Sequence, residues 1–217
     1  SKSFQKILIK RSNKRVLYIP NYAEIFNKKI IKKKTNKKFT IVYAGNIGKA
    51  QSLITLLKSA KKLKEKDKVD IRIYGDGFEL DKLKKYKKEN NIKHVTFYGK
   101  VSKNKIFKAY VNSDALFLSL AKDKFLNFTV PAKLQSYLSI GKPLIASASG
   151  ETKKIVTSSK AGYCSPPGNE YLLHKNILKL INLKKNSVKK LGINSKKYYK
   201  KNFSKNIITR MFRKVLI

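Results

Sequence analysis

The stretch that decides the fold is FTVPAKLQSYLSIGKPLIA, residues 128–146. Pro131 predicts the start of a helix, because the first helical turn does not need the N–H group that proline lacks. Apolar residues then recur at helical spacing, at Leu134, Tyr137 and Leu138. Gly141 predicts the end of the helix, and residues 144–146 are apolar, as expected of a strand. The stretch therefore predicts a helix that leads directly into a buried strand.

Two polar residues in this stretch have no obvious packing role. They are Lys133, in the first turn of the predicted helix, and Gln135, two residues further on. A lysine is unfavourable at the positive end of a helix dipole, and a local conflict of this kind is typical of a functional residue. Helix starts bind phosphate readily. We therefore interpret the start of this helix as a seat for a phosphate group.

Apolar strands alternate with helical patterns from residue 39 onward. We predict six strands, at residues 39–44, 69–74, 95–98, 115–120, 144–146 and 161–164. A helical pattern follows each strand, and only helical patterns remain after residue 168. Strands that alternate with helices form βαβ units and a parallel sheet. The sequence therefore predicts an α/β fold, a doubly wound parallel sheet with extra C-terminal helices.

The first 38 residues have a different composition from the rest. Residues 16–21, VLYIPN, predict a short strand that ends in a turn. Residues 28–38 are dense in lysine and poor in apolar residues, which is typical of a solvated linker. We therefore divide the chain into a linker at residues 1–38 and a domain at residues 39–217.

Glycines follow four of the predicted strands. They are Gly45 and Gly48, Gly75 and Gly77, Gly99, and Gly150. The carboxyl ends of parallel strands meet at one edge of a sheet, where such folds bind their ligands. For any single loop, a glycine that simply ends a strand is the better explanation. Because four loops and the Pro131 helix share this edge, we predict a crevice for phosphate or a nucleotide, with Lys49 and Lys133 as its cations.

Motifs for several other chemistries are missing. Residues 45–48 lack the third glycine of a dinucleotide fingerprint, no GKS or GKT follows a glycine-rich loop, and no Asp-x-Asp pair is present. Asp123 is the only acid between residues 115 and 150, which argues against a hydrolase with paired carboxylates. Cys164 is the only cysteine, which excludes an intrachain disulfide and a CxxC metal site. The sequence predicts an anion site without a metal.

The charge of the chain is extreme. The net charge is +40, and 47 of the 52 basic residues are lysine. Nucleic-acid readers rely on arginine for bidentate contacts to bases, so we expect no nucleic-acid partner. Attraction to an anionic membrane surface is a better explanation of the many lysines. No apolar run approaches the roughly 20 residues that span a bilayer. A basic module that binds nucleic acid or an anionic membrane without catalysis stays the alternative function.

Several short motifs occur in an order that resembles a known family. They are YAGNIG at 43–48, GDG at 75–77, TFYGKV at 96–101, SDA at 113–115, PAK at 131–133 and GKP at 141–143. This order resembles the carboxy-terminal, donor-binding half of retaining glycosyltransferases with the GT-B fold. The resemblance is greatest to the bacterial enzymes that build O-antigen and capsule. YIPN at 18–21 is similar to the segment that crosses between the two domains in that family.

The resemblance implies an enzyme that transfers a sugar with retention, without a metal or cofactor. The donor would be a nucleotide sugar, expected to be linked to uridine diphosphate (UDP). The acceptor, expected to be a lipid-linked glycan, would bind mainly to an amino-terminal half that is absent from this chain, so the chain alone is expected to be inactive. The resemblance also implies a cytoplasmic protein at the inner face of the bacterial membrane.

The resemblance assigns roles to residues of the predicted crevice, but no catalytic residue. The diphosphate would be contacted by Gly45, Asn46, Gly48, Lys49 and Lys133. The base and ribose would be contacted by Gly99, Lys100, Val101 and Gln135. The donor sugar would be contacted by Asn127, Phe128 and Thr129. The family has glutamates at the positions of Asn127 and Gln135. Because a charge-assisted hydrogen bond is about twice as strong as a neutral one, the two amides predict weaker contacts to the sugar and the ribose.

Overall fold

The structure, a computed structural model, describes residues 1–23 and 38–216. The lysine-rich linker predicted at residues 28–38 lies, except for Lys38, outside the described residues. The domain boundary at residue 38 therefore stays a prediction.

Six parallel strands form one sheet in the order β3-β2-β1-β4-β5-β6. Their bounds are Phe39–Ala44 (β1), Val69–Tyr74 (β2), Val95–Gly99 (β3), Ala115–Ser119 (β4), Leu144–Ser147 (β5) and Gly162–Ser165 (β6). Every residue of β4 is buried, as expected for a central strand covered on both faces. The order of the strands is that of doubly wound, Rossmann-like sheets. The predicted fold class is confirmed, and the predicted strand ends agree to within one residue.

The described part of the chain contains nine α-helices. Their bounds are Lys2–Ser12 (α1), Ile54–Lys61 (α2), Leu80–Glu89 (α3), Lys103–Asn112 (α4), Ala132–Ile140 (α5), Gly150–Ser158 (α6), Glu170–Ile181 (α7), Lys185–Asn202 (α8) and Lys205–Leu216 (α9). The last three are the predicted C-terminal helices. No helix within residues 1–23 and 38–216 is long and apolar enough to cross a membrane.

Helices cover both faces of the sheet, because successive strand residues point to opposite sides. Ile41 and Tyr43 of β1 belong to a core shared with α2, α3 and α7. Val42 and Ala44 belong to a second core shared with α4, α5, α6 and α8. These alternating positions explain why β1 reads as a continuous apolar run.

The stretch 128–146 folds as predicted. Pro131 has an extended backbone directly before α5, and Gly141 ends the helix in the left-handed conformation with a φ of 77°, where glycine is favoured. The apolar positions of α5 are fully buried: Leu134, Tyr137 and Leu138. β5 follows after two residues. This arrangement fixes the start of α5 at the carboxyl edge of the sheet.

The segment before β1 differs from the prediction. The strand predicted at residues 16–21 is wrong, because this segment pairs with no strand of the described chain. The carbonyl of Val16 instead accepts a hydrogen bond from the Gln5 side chain at 2.7 Å. The sequence pattern also missed α1. None of the α1 residues is buried, so packing imposes no strong apolar periodicity on them.

Candidate functional site

The winding of the sheet reverses at β1, and ligands of such sheets bind at this switch point, outside the carboxyl ends of the strands. The chain moves from β1 to β2 and β3 on one side, and then to β4, β5 and β6 on the other. β1 and β4 are paired only at Ile41–Ala115 and Val42–Leu116. Their last residues are therefore unpaired with each other at the edge where the sequence predicts the crevice, which residues 45–48 border.

The glycine loops after β1, β2 and β3 lie against one another. The N–H of Gly75 donates to the carbonyl of Gly99 at 2.8 Å. A Cβ on Gly75 would lie 1.9 Å from the carbonyl oxygen of Gly45, and a Cβ on Gly77 would lie 2.6 Å from that of Ile47. Glycine is needed at both positions because the backbones approach too closely for a side chain. The three loops therefore form one continuous backbone surface.

α5 brings Lys133 over this surface. The Lys133 Nζ donates to the Tyr43 hydroxyl at 2.9 Å, and a Cβ on Gly45 would lie only 2.2 Å from Nζ. Among the described residues, no carboxylate lies within ion-pair distance of Nζ. Burial lowers the pKa of Lys133 to about 8, because desolvation penalises the ammonium ion. A half-buried cation beside bare backbone suits an anionic ligand.

Two tyrosines that the sequence did not identify as site residues form hydrogen bonds at the end of β1. The Tyr43 hydroxyl lies between Lys133 and the Asn46 carbonyl, to which it donates at 2.5 Å. The Tyr137 hydroxyl accepts from the N–H of Ala44 at 3.3 Å, at a point where β1 no longer pairs with β4. A signal for both was present in the sequence, since each is a tyrosine in a mainly apolar pattern and lies two residues from a predicted site residue, Gly45 or Gln135.

Gln51 shapes the loop at residues 45–48 and was also missed. Its Oε1 accepts from the N–H of Gly48 and from the Asn46 side chain, each at 3.1 Å. Lys49 begins the short 3-10 turn after this loop, and its Nζ lies 5.8 Å from the ring centroid of Phe78. Phe78 is 87% exposed, so Lys49 lies at the solvent-facing rim of the crevice.

The segment predicted to receive the base borders the same surface. Gly99 has a φ of 67° and is joined to the loop after β2 through its carbonyl. Lys100 is exposed and Val101 is half-buried against the core on the α4 and α5 side. The loop after β2 therefore lies between residues 99–101 and residues 45–48 at the same edge of the sheet, and the contact of residues 99–101 with a base stays a prediction.

The predicted sugar-binding residues lie at the start of α6. Asn127 belongs to a 3-10 turn, and its side chain is hydrogen-bonded to the Ser149 hydroxyl. The backbone of Asn127 lies so close to Gly150 that a Cβ on Gly150 would be 2.0 Å from its carbonyl oxygen. The carbonyl of Thr129 accepts from the Thr152 hydroxyl at 3.3 Å. The loops after β4 and β5 are thus joined at the carboxyl edge of the sheet, on the β4 side of the crevice.

Phe128 and Gln135 point into packed surroundings. The Phe128 ring lies 5.5 Å from the Phe4 ring of α1. Gln135 is 3% exposed, and its Oε1 is buried without a hydrogen-bond partner. Leaving such an acceptor unpaired costs about 1–3 kcal/mol. The ribose contact predicted for Gln135 stays a prediction.

The described residues offer neither a reactive cysteine nor a cluster of metal ligands. Cys164 donates to the Ala148 carbonyl at 3.4 Å, and burial raises the pKa of its thiol to about 11. A thiol with this pKa stays protonated at neutral pH and is a poor nucleophile. Within residues 1–23 and 38–216, no three His, Cys, Asp or Glu side chains group closely enough to hold a metal ion.

With this geometry established, comparison with known proteins identifies the family. The family model described as Glycosyl transferases group 1 matches residues 24–198. The chain belongs to this family. The group 1 domain is 25% identical over 204 residues to MJ1069 of Methanocaldococcus jannaschii, which is described as an uncharacterized glycosyltransferase. That match covers 93% of this chain and 50% of the relative.

Solved structures share the fold of this group 1 domain. WaaB, a lipopolysaccharide outer core galactosyltransferase solved in its apo form, matches with a TM-score of 0.78 at 18% identity, over 100% of this chain and 60% of WaaB. A mutant of S. aureus TarM, solved with fondaparinux, alpha-GlcNAc-glycerol and UDP, matches with a TM-score of 0.74 at 16% identity, over 99% of this chain and 42% of TarM. The fold is therefore the Rossmann-like type found in GT-B enzymes. The chain spans only 42–60% of the length of these three proteins.

Proposed function

We propose that this chain is the donor-binding, carboxy-terminal half of a retaining glycosyltransferase. The observation that carries the proposal is the position of Lys133 at the switch point of the sheet, beside the bare backbone of Gly45. An ammonium ion in the first turn of α5 suits a diphosphate. Membership of the group 1 family and the UDP bound in the TarM structure support a UDP-linked sugar as the ligand.

The donor would lie along the carboxyl edge of the sheet. We assign the diphosphate to residues 45–49 and Lys133, the base and ribose to residues 99–101 and Gln135, and the sugar to residues 127–129. The order of these groups follows the order of the strands, since β3 and β4 lie on opposite sides of β1. The contact between Gly75 and Gly99 supports a continuous surface from the diphosphate to the base.

We assign the charge of the diphosphate to protein groups and propose that no metal ion is required. Negative charge develops on the leaving diphosphate as the sugar departs, and fixed cations and N–H groups stabilise such charge. Lys133 is held in place by Tyr43, and Lys49 is available at the rim. UDP binding that is unchanged by a chelator would support this assignment, and binding that requires added magnesium would contradict it.

The acceptor is proposed to be a lipid-linked glycan of a bacterial surface polysaccharide of the O-antigen or capsule type. The description of WaaB as a lipopolysaccharide galactosyltransferase supports this class. Because the chain spans about half of its relatives, we propose that another half binds the acceptor and that this chain binds the donor without transferring sugar. Transfer by this chain alone would contradict that division.

We propose that the protein acts at the cytoplasmic face of the membrane and that the C-terminal helices supply the attraction. No acid follows Glu170, whereas twelve lysines and two arginines do. The apolar residues of α9 are more exposed toward the end of the helix: Ile208 is buried, whereas Phe212 and Val215 are about half exposed. An amphipathic helix with basic flanks is typical of binding to an anionic bilayer.

Amide shifts in nuclear magnetic resonance spectra test the donor site directly. Addition of UDP should shift the signals of residues 45–48, 99–101 and 132–135 and leave those of α8 unchanged. Absence of any shift at millimolar UDP in the folded protein would contradict the proposal. The alternative, a basic module without a donor site, predicts shifts that follow the exposed lysines, with any polyanion, and that disappear as salt is raised.

A further inference from the structure

Tyr43 contacts both elements that we propose to bind the diphosphate. Its ring rises from the side of the sheet that α2 and α7 cover, whereas Lys133 reaches over the edge from α5 on the other side. The two side chains meet above Gly45, where the Lys133 Nζ lies 2.9 Å from the Tyr43 hydroxyl and 4.2 Å from the ring centroid. The hydroxyl also bonds to the carbonyl of Asn46.

The direction of both hydrogen bonds is fixed by chemistry. A carbonyl can only accept a hydrogen bond and an ammonium group can only donate one. The Tyr43 hydroxyl therefore donates a hydrogen bond to the Asn46 carbonyl and accepts one from Lys133. Burial raises the pKa of Tyr43, which keeps the phenol protonated. The ring is 1% exposed and lies 6.4 Å from the Phe117 ring in a tilted contact. Packing therefore holds the hydroxyl in place.

We propose that Tyr43 is a positioning residue for the donor diphosphate: its hydroxyl holds the Lys133 ammonium group and the Asn46 peptide in the geometry that receives the phosphates. The inference rests on the proposed function, because it takes the crevice to bind a nucleoside diphosphate. An ammonium group has three protons, so Lys133 keeps two for the ligand. Tyr43 is not placed in contact with the reacting atoms.

The benefit of this contact is preorganisation. A lysine side chain that is already held loses little further freedom when the diphosphate binds, whereas a free one must be immobilised by the ligand. Tyr43→Phe keeps the ring and its contact with Lys133, and it removes only the hydroxyl. We expect the variant to bind UDP about 10-fold more weakly, which is near the lower end of the range for a hydrogen bond to a charged group. Uridine, which has no phosphate, should bind equally to both proteins.

A double-mutant cycle separates positioning from a general packing effect. UDP and uridine affinities are measured by calorimetry for the native chain, Tyr43→Phe, Lys133→Met and the double variant. If Tyr43 acts through Lys133, its substitution should cost much less in the Lys133→Met background. Equal costs in both backgrounds, or equal losses of UDP and uridine binding, would overturn the inference.

Tyr199→Phe is the matched control. Tyr199 belongs to α8, outside the crevice, and its buried hydroxyl donates to the Ala23 carbonyl at 3.1 Å. The substitution should leave UDP affinity unchanged. A loss as large as that of Tyr43→Phe would mean that any lost buried hydroxyl disturbs the crevice, and this would overturn the inference.

A second readout requires no ligand and therefore distinguishes failure of this inference from failure of the proposed function. The pKa of Lys133 can be followed by side-chain resonance, assigned by its absence from the Lys133→Met spectrum. Loss of the Tyr43 acceptor should lower this pKa below the native value of about 8, because the charged form loses a hydrogen bond. An unchanged pKa would overturn the inference even if UDP binds. A lowered pKa in a protein that binds no UDP would instead refute the proposed function.

Discussion

Replacing Gly45 by alanine should damage UDP binding through Lys133. Gly45 has a φ of +146°, and the new Cβ would lie 2.2 Å from the Lys133 Nζ and 2.7 Å from Cε. Both atoms are at the far end of a flexible side chain, so Lys133 can swing away instead of forcing the backbone to move. Lys133 would then lose its contact with Tyr43 and its position over the loop.

Gly45→Ala should therefore have two effects, a loss of folding stability and a loss of UDP affinity. A residue with a side chain held at an unfavourable φ costs about 1–3 kcal/mol of stability. Losing a hydrogen bond between a charged group and the ligand costs about 1.5–3 kcal/mol of binding, which corresponds to roughly 10- to 100-fold in the dissociation constant. Gly75→Ala should destabilise the fold more than Gly45→Ala, because its Cβ would lie 1.9 Å from the Gly45 carbonyl oxygen, and backbone cannot swing away.

Urea unfolding and calorimetric titration with UDP measure these effects separately. Gly168→Ala is the matched control: it also has a positive φ, +76°, but a Cβ there would meet no atom within 4 Å. It should lose some stability and bind UDP normally. If folded Gly45→Ala binds UDP as tightly as Gly168→Ala, Lys133 does not hold the diphosphate and the reasoning is refuted.

Three further predictions concern Lys133, Gln135 and the C-terminal helices. Lys133→Met should be more stable than the native chain by about 1 kcal/mol at pH 7, the order of one pKa unit, because burial penalises the Lys133 ammonium ion. The native pKa is about 8 and that of the unfolded lysine is 10.5, so the unfolded chain binds more protons between these values. Native stability should therefore rise across this window, and the advantage of the variant in urea unfolding should shrink; a constant advantage would contradict the lowered pKa. Gln135→Leu should gain about 1 kcal/mol in thermal unfolding by removing an unpaired acceptor and should bind UDP more weakly; unchanged affinity would exclude the ribose contact. Co-sedimentation with anionic vesicles should decrease as salt is raised and in the Phe212→Ser variant. Co-sedimentation that does not depend on the content of anionic lipid would contradict binding to an anionic membrane surface.

The sheet could be predicted because its central strands, β1, β4 and β5, are buried on both faces. Burial on both faces requires an apolar run, and the runs at residues 39–44 and 115–120 agree with β1 and β4. The glycine loops could be located because parallel strands bring their carboxyl ends to one edge. The close approach of Gly75 to Gly45 gives these glycines a physical reason.

Other features depend on partners that no local pattern specifies. The strand predicted at residues 16–21 has apolar residues at strand spacing but no neighbouring strand in the described chain. Tyr43 belongs to the site only because Lys133, 90 residues later, reaches its hydroxyl. The burial of Gln135 also follows from how α5 packs, which its position in the sequence did not reveal.

The central claim is that a half-buried lysine at the switch point holds the diphosphate of a nucleotide sugar. The most direct measurement is the dissociation constant of UDP at pH 7 for the native chain, for Lys133→Met and for Lys88→Met, which removes an exposed lysine near the end of α3. We expect Lys133→Met to bind UDP roughly 10- to 100-fold more weakly and Lys88→Met to bind as the native chain does. Equal affinities for all three proteins, or equal losses in both variants, would contradict the account.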